Sequence, residues 1–139
     1  MFVLDTNILS TMMAARPAPE VAAFVTGQPM ELLFTASICQ AEILSSIAIL
    51  PEGRRRLGLE AAAQAMFQQD FDRRVLPFDE EAALAYAEIF AACRRTSRPA
   101  ATADLMIAAI AYCRNASVVT RNTADFDACN VTVVNPLDR

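Results

Sequence analysis

Asp5, Glu42 and Asp104 stand alone in apolar sequence. Asp5 is the only charged side chain between Met1 and Arg16, Glu42 the only one between Glu31 and Glu52, and Asp104 the only one between Arg98 and Arg114. An ionised carboxylate in such surroundings is costly unless it is paired or holds a metal. A solvated acidic face looks different, because it carries several charges at helical spacing. The chain also has no His. Isolated acids without imidazole point to a carboxylate site for Mg²⁺ or Mn²⁺ acting on phosphate esters. Taken singly, Asp5 also reads as a strand-end helix cap and Asp104 as a complement to a helix dipole.

Other chemistries fit worse. Without His, neither Ser-His-Asp nor Cys-His catalysis is available. The chain has only 3 Gly and carries neither a P-loop nor a G-x-G-x-x-G fingerprint. A receiver-type or haloacid-dehalogenase-type phosphatase would want a second acid beside Asp5 and a late Lys. Asp5-Thr6-Asn7 supplies no second acid, and every basic residue is Arg. Cys39, Cys93, Cys113 and Cys129 form no C-x-x-C pair, so no zinc set is expected. Cys39, Cys93 and Cys113 lie on apolar faces of helical patterns, so buried, reduced thiols are the expectation for these three.

The elements that must position these acids follow from pattern. Phe2-Val3-Leu4 reads as a buried strand ending at Asp5, with Thr6 and Asn7 opening a helix to Ala15. Pro17 and Pro19 break it, and a second short helix follows over Glu20 to Thr26, ended by Gly27. Leu32 to Thr35 is the next strand. Ser37 and Gln40 match a capping box, and the helix behind them carries Glu42 as far as Leu50. One long helix is expected from Glu52 to Asp72, then a strand over Val75 to Phe78. Asp79 caps the helix from Glu80 to Thr96, whose apolar stripe is Ala83, Tyr86, Ala87 and Phe90. Ser97 to Ala100 is a loop closed by Pro99. Thr102 can cap a nearly all-apolar, central helix that carries Asp104 in its first turn. Ser117 to Thr120 and Val131 to Val134 complete the strands, with a helical turn over Thr123 to Asp127 between them.

Short apolar strands alternating with helices make an α/β fold with a parallel sheet covered on both faces. Ligands of such sheets bind at the carboxyl ends of the strands. Asp5 ends the first strand, Glu42 and Asp104 lie near helix starts, and Asn122 and Asp125 follow the fourth strand. All five therefore fall at one edge. Converging carboxylates repel one another, and a divalent cation relieves that repulsion.

Composition limits the partners. The chain of 139 residues fits one domain, 1–139, and can bury a real core. Its net charge of -4 is unlike that of a basic DNA-binding module. Arg runs (54–56, 73–74, 94–95) suit phosphate contacts and equally fit a general preference for Arg over Lys. An apolar fraction of 55% leaves apolar surface to cover, which suggests a homodimer, a higher oligomer or a tight protein partner. No apolar run spans a bilayer, and no leader segment is seen, so a cytoplasmic protein without membrane contact is expected.

Four segments in this order resemble the PIN-domain ribonucleases: V-L-D-T-N-I-L-S, T-A-S-I-C-Q-A-E-I, D-L-M-I-A-A-I-A and V-V-T-R-N-T-A-D-F. More narrowly they resemble the VapC toxins of bacterial toxin–antitoxin pairs. The middle stretch V-L-P-F-D-E-E-A-A-L-A-Y-A-E-I is similar to their FitB-like branch. The resemblance covers essentially the whole chain. It implies a three-layer α/β/α sandwich with a five-stranded parallel sheet and Mg²⁺- or Mn²⁺-dependent endoribonuclease activity. It implies 5′-phosphate and 3′-hydroxyl products.

The family's acidic positions fall on Asp5, Glu42 and Asp104. A fourth falls on Asn122, where many relatives carry Asp; Asp125 is placed to compensate. Thr6, Asn7, Thr120 and Arg121 are expected to contact the RNA substrate at the same edge. The implied partner is a small antitoxin of the VapB or FitA type that blocks the site and supplies DNA binding to the complex. Two other readings stand beside this one: a degenerate domain that binds RNA or antitoxin without cutting, and a regulator that clamps its antitoxin on DNA.

Overall fold

In a computed structural model, which describes residues 1–96, 100–127 and 129–138, the apolar runs become five strands. They are β1 (Phe2–Leu4), β2 (Leu33–Ala36), β3 (Val75–Leu76), β4 (Ser117–Val119) and β5 (Val133–Val134). The sheet order is β3-β2-β1-β4-β5, and every neighbouring pair is parallel. Val3 at the centre lies opposite Phe34 on one side and Val118 on the other. Such a strand is buried on both faces, which is why Phe2-Val3-Leu4 is apolar throughout rather than alternating.

Among the described residues, six helices join the strands: α1 (Thr6–Met13), α2 (Pro19–Thr26), α3 (Ser37–Ala48), α4 (Arg54–Ala65), α5 (Glu80–Thr96) and α6 (Thr102–Cys113). Parallel strands demand right-handed crossovers. The chain steps from β1 outward to β3 and then jumps back to β4 on the other side. This places α1 to α4 on one face and α5 and α6 on the other, as the packing of α1 on α3 and of α5 along α6 confirms. The strand order reverses between β1 and β4, where such sheets form their crevice. The three-layer α/β/α expectation is met. Leu105 and Ile107 to Ala111 of α6 are buried, as a helix apolar all round should be.

Local expectations differ from the structure in four places. Ser37 and Gln40 make no capping box; β2 runs straight into α3, Ala36 is the N-cap, and no side chain caps the helix. A capping side chain must belong to a residue outside the helix, whereas Ser37 already lies within it. Thr102 likewise opens α6 from inside, after Ala101. The helix expected over Glu52 to Asp72 divides into α4 and a π turn, Met66–Asp70, which lets consecutive Met66 and Phe67 both reach the core. The buried stripe of α5 is Ala82, Ala85, Ile89 and Cys93, not Ala83, Tyr86, Ala87 and Phe90. An Ala-rich helix carries adjacent apolar stripes, and close packing against α6 selects the one with the smaller side chains.

Strand ends also shift. Leu32 belongs to a 3₁₀ turn, Met30–Leu32, and β3 stops before Pro77, which cannot donate to a ladder. Asp79 does cap α5, its Oδ1 accepting from the Ala82 amide at 3.0 Å. The loop expected over Ser97 to Ala100 lies largely outside the described residues. None of the four cysteines is in a disulfide among the described residues; Cys39, Cys93 and Cys129 are buried and Cys113 half-buried. No described helix is long and apolar enough to cross a membrane.

Candidate functional site

β1 delivers Asp5 to the crevice at the strand reversal, where its amide donates to the Val119 carbonyl at 2.9 Å. Asp5 is both the N-cap of α1 and the hub of a hydrogen-bond lattice. Its Oδ1 accepts from the Thr6 amide at 2.8 Å. Its Oδ2 accepts from the Thr120 hydroxyl at 2.8 Å and from Asn7 Nδ2 at 3.2 Å. Thr120, fully buried at the end of β4, accepts in turn from Asn7 Nδ2 at 3.0 Å and from the Asn122 amide at 3.1 Å. One proton given and two accepted use the hydroxyl completely. Asn7 Oδ1 accepts from the Arg121 amide at 3.1 Å, stitching the chain after β4 to α1. Across the cleft, Thr6 Oγ1 donates to Glu42 Oε1 at 2.7 Å.

The result is an open cleft of about 330 Å³ lined by Asp5, Thr6, Asn7, Ser10, Glu42, Asp104, Asn122 and Asp125. The five residues expected at one edge are brought together, and no Arg among the described residues lines the cleft. Thr6, Asn7 and Thr120 are engaged in aiming the acids. Arg121 is exposed at the rim. Ser10 was not anticipated. Its signal was present: Thr6, Asn7 and Ser10 share a face at helical spacing once α1 starts at Thr6.

Electrostatics record the crowding. The Asp5 carboxyl is raised above the ordinary carboxylate range, first by burial; the bonds from Thr120 and Thr6 oppose this, and the charges of Glu42 and Asp125 add to it. Asp104 is raised to about 6 by burial and then by Asp5, Asp125 and Glu42. Behind the cleft, burial and the Asp5 charge push the Cys39 thiol up to about 12, so it is no nucleophile.

The donor set suits a hard divalent cation, since it is all oxygen and repels itself. The Asp104 carboxylate has no hydrogen-bond partner among the described residues. Among those residues, however, no three acidic or thiol side chains are drawn together as a ready ligand set. Asp5 is held by its lattice and Glu42 is turned to Thr6. Cation binding at this cleft therefore requires side-chain rotation or bridging waters.

Comparison with known proteins gives the family of this fold. The PIN domain family matches residues 2–130. The chain is 36% identical to the plasmid stability protein StbB of Pseudomonas syringae pv. tomato, over 98% of each chain. It is 34% identical to the VapC ribonuclease Y4jK of Sinorhizobium fredii, over 98% of this chain and 97% of that one. It is 33% identical to the toxin FitB of Neisseria gonorrhoeae, over 98% of each. The solved structure of FitAB bound to the IR36 DNA fragment superposes with a TM-score of 0.89 at 32% identity, covering 100% of this chain and 97% of that one. Matched from the first strand nearly to the last by one family, and by relatives a third identical over their full length, the chain belongs to the PIN-domain family.

Proposed function

We propose that the protein is a Mg²⁺- or Mn²⁺-dependent endoribonuclease and the toxin of a toxin–antitoxin pair. The observation that carries this is the cleft itself: four carboxylates at the strand reversal, with no cationic side chain among the described residues that line it. Asp5, Asp104 and Glu42 are the residues to hold a metal, with Asn122 and Asp125 beside them. A bound divalent cation supplies neutralisation of charge on the phosphate and a more acidic water. The chain's own part is orientation. Thr120, Asn7 and the Thr6 amide fix both oxygens of Asp5, and Thr6 Oγ1 fixes Glu42. Asn122 offers a neutral amide to a phosphate oxygen, and Arg121 a guanidinium at the rim. Water oxygen attacks phosphorus, the bond to the 3′ oxygen breaks, and a 5′-phosphate and a 3′-hydroxyl remain.

The names of the relatives support the toxin assignment. A small antitoxin of the VapB or FitA type would cover the acid cleft and bring the complex to DNA. The outer face of α5, where Leu84 is 68% and Phe90 42% exposed, supports a homodimer. A second reading, binding of RNA or antitoxin without cutting, draws on Asn122 and on the lack of a ready ligand set.

The test is cleavage of a mixed structured-RNA pool by antitoxin-free protein with Mn²⁺ or Mg²⁺, then with EDTA, beside Asp104→Ala. Cutting that needs both metal and Asp104 supports the nuclease. Folded, metal-loaded protein that leaves the pool intact supports the binding reading.

A further inference from the structure

The cleft continues into a second recess. Ser10 lines both the acid cleft and a pocket of about 260 Å³ between α1, α3 and the start of α4. The continuity follows from helical spacing. Thr6, Ser10 and Ala14 descend one face of α1 opposite Glu42 and Ser46 of α3, each one turn apart. The recess has an apolar floor of Met13, Ile43, Ile47 and Leu59, a polar rim of Ser10 and Ser46, and Arg55 at its far end.

Arg55 is placed against local preference. Arg54, Arg55 and Arg56 fill the first turn of α4, where the helix dipole disfavours cations. Arg56 is compensated by Glu60 at 2.8 Å and by the Leu50 carbonyl at 3.2 Å. Arg55 is exposed and has no hydrogen-bond or ion-pair partner among the described residues. A local rule broken without compensation is a mark of function.

We infer that this recess is the path by which single-stranded RNA leaves the acid cleft, with one unstacked base on the apolar floor and a neighbouring phosphate on Arg55. The inference rests on the nuclease reading and adds a substrate-positioning residue to it. A polyanion crossing an acidic cleft needs cations on its path: Arg55 lines the recess together with Ser10, and Arg121 is an exposed residue whose amide donates to Asn7 Oδ1 in the cleft. Unstacked bases are bound on apolar and aromatic surfaces, with backbone charge met by Arg.

The experiment measures binding of a labelled oligouridylate, and of the mixed RNA pool, to full-length Asp104→Asn protein with and without Arg55→Ala, across a salt series. The expected result is about fivefold weaker binding and a salt slope shallower by about 0.7, the share of one phosphate on a single strand. Arg55→Lys should restore the slope, and Arg95→Ala, at the far end of α5, should leave affinity unchanged. Binding indifferent to Arg55, or no RNA binding by either protein, overturns the inference. So does Arg55→Ala weakening capture of a co-expressed antitoxin while sparing RNA, which would make the recess a protein surface. Cutting by the unaltered protein with Arg55-indifferent binding discards the path and keeps the nuclease. Arg55-dependent binding without any cutting keeps the path and discards the nuclease.

Discussion

Replacing Asp104 by Asn should stabilise the metal-free protein while removing cleavage. Asp104 is half-buried among like charges, and its carboxyl is raised to about 6 from 3.8. In a fully dry site that difference corresponds to about 3 kcal/mol at pH 7. Solvent reaches this side chain, so screening reduces the figure to about 1 kcal/mol. A carboxyl raised in the folded state holds its proton more tightly than in the unfolded chain. Its contribution to stability is therefore fully present below pH ~4 and is lost as the pH rises through about 6. Asp104→Asn escapes that loss. In EDTA at pH 7, its melting temperature should exceed that of the unaltered protein by about 3 °C. The advantage should shrink as the pH falls, with about half remaining near pH 5. Mg²⁺ should raise the melting temperature of the unaltered protein and do little for Asp104→Asn. Thermal melts of both proteins at pH 7 and pH 5, with EDTA and with Mg²⁺, check all of this. Lower stability of Asp104→Asn at pH 7, or an advantage that grows at pH 5, would refute the electrostatic account of the cleft.

Asp5 acts in the fold as well as in the site, so Asp5→Ala should cost about 1–2 kcal/mol through the lost α1 cap, read from the urea midpoint. Asp5→Asn should cost less, because one oxygen still accepts; equal losses would deny the capping role. Thr120→Val removes the donor to Asp5 and the acceptor of Asn7 and Asn122, and should destabilise by about 2 kcal/mol. It should also raise the Asp5 carboxyl further, since the Thr120 bond is what chiefly holds it down. An NMR titration of Asp5 that does not move in this variant would contradict the lattice. Ile107→Ala, at a fully buried position of α6, should cost about 3 kcal/mol by leaving a cavity in the core. A loss under 1 kcal/mol in chemical denaturation would mean that α6 is not the central helix.

Much of this architecture is legible in residue order. A parallel sheet with both faces covered follows from uncharged strands such as Phe2-Val3-Leu4 and from an α6 apolar all round. A charge that survives in such surroundings must sit where strands end, so Asp5, Glu42 and Asp104 announce one edge before any contact is known. The finer readings failed where sequence offers two equivalent solutions. Ala83, Tyr86, Ala87 and Phe90 share a stripe as good as that of Ala82, Ala85, Ile89 and Cys93, and only packing against α6 chooses between them. Ser37 resembles a cap until β2 is seen to leave no residue before α3.

Sequence by itself determined which side chains carry charge in apolar company and the edge of the sheet they reach, because burial penalties and strand–helix alternation act locally. Tertiary structure alone decided how they are held. Asp5 and Thr120 are 115 positions apart and meet because β1 and β4 are neighbours at the strand reversal. The same meeting turns Thr6, Asn7 and Thr120 toward the acids, brings Ser10 into the cleft, and leaves Arg55 facing the recess beyond it. Register and crossover direction are properties of the whole sheet, and no segment contains them.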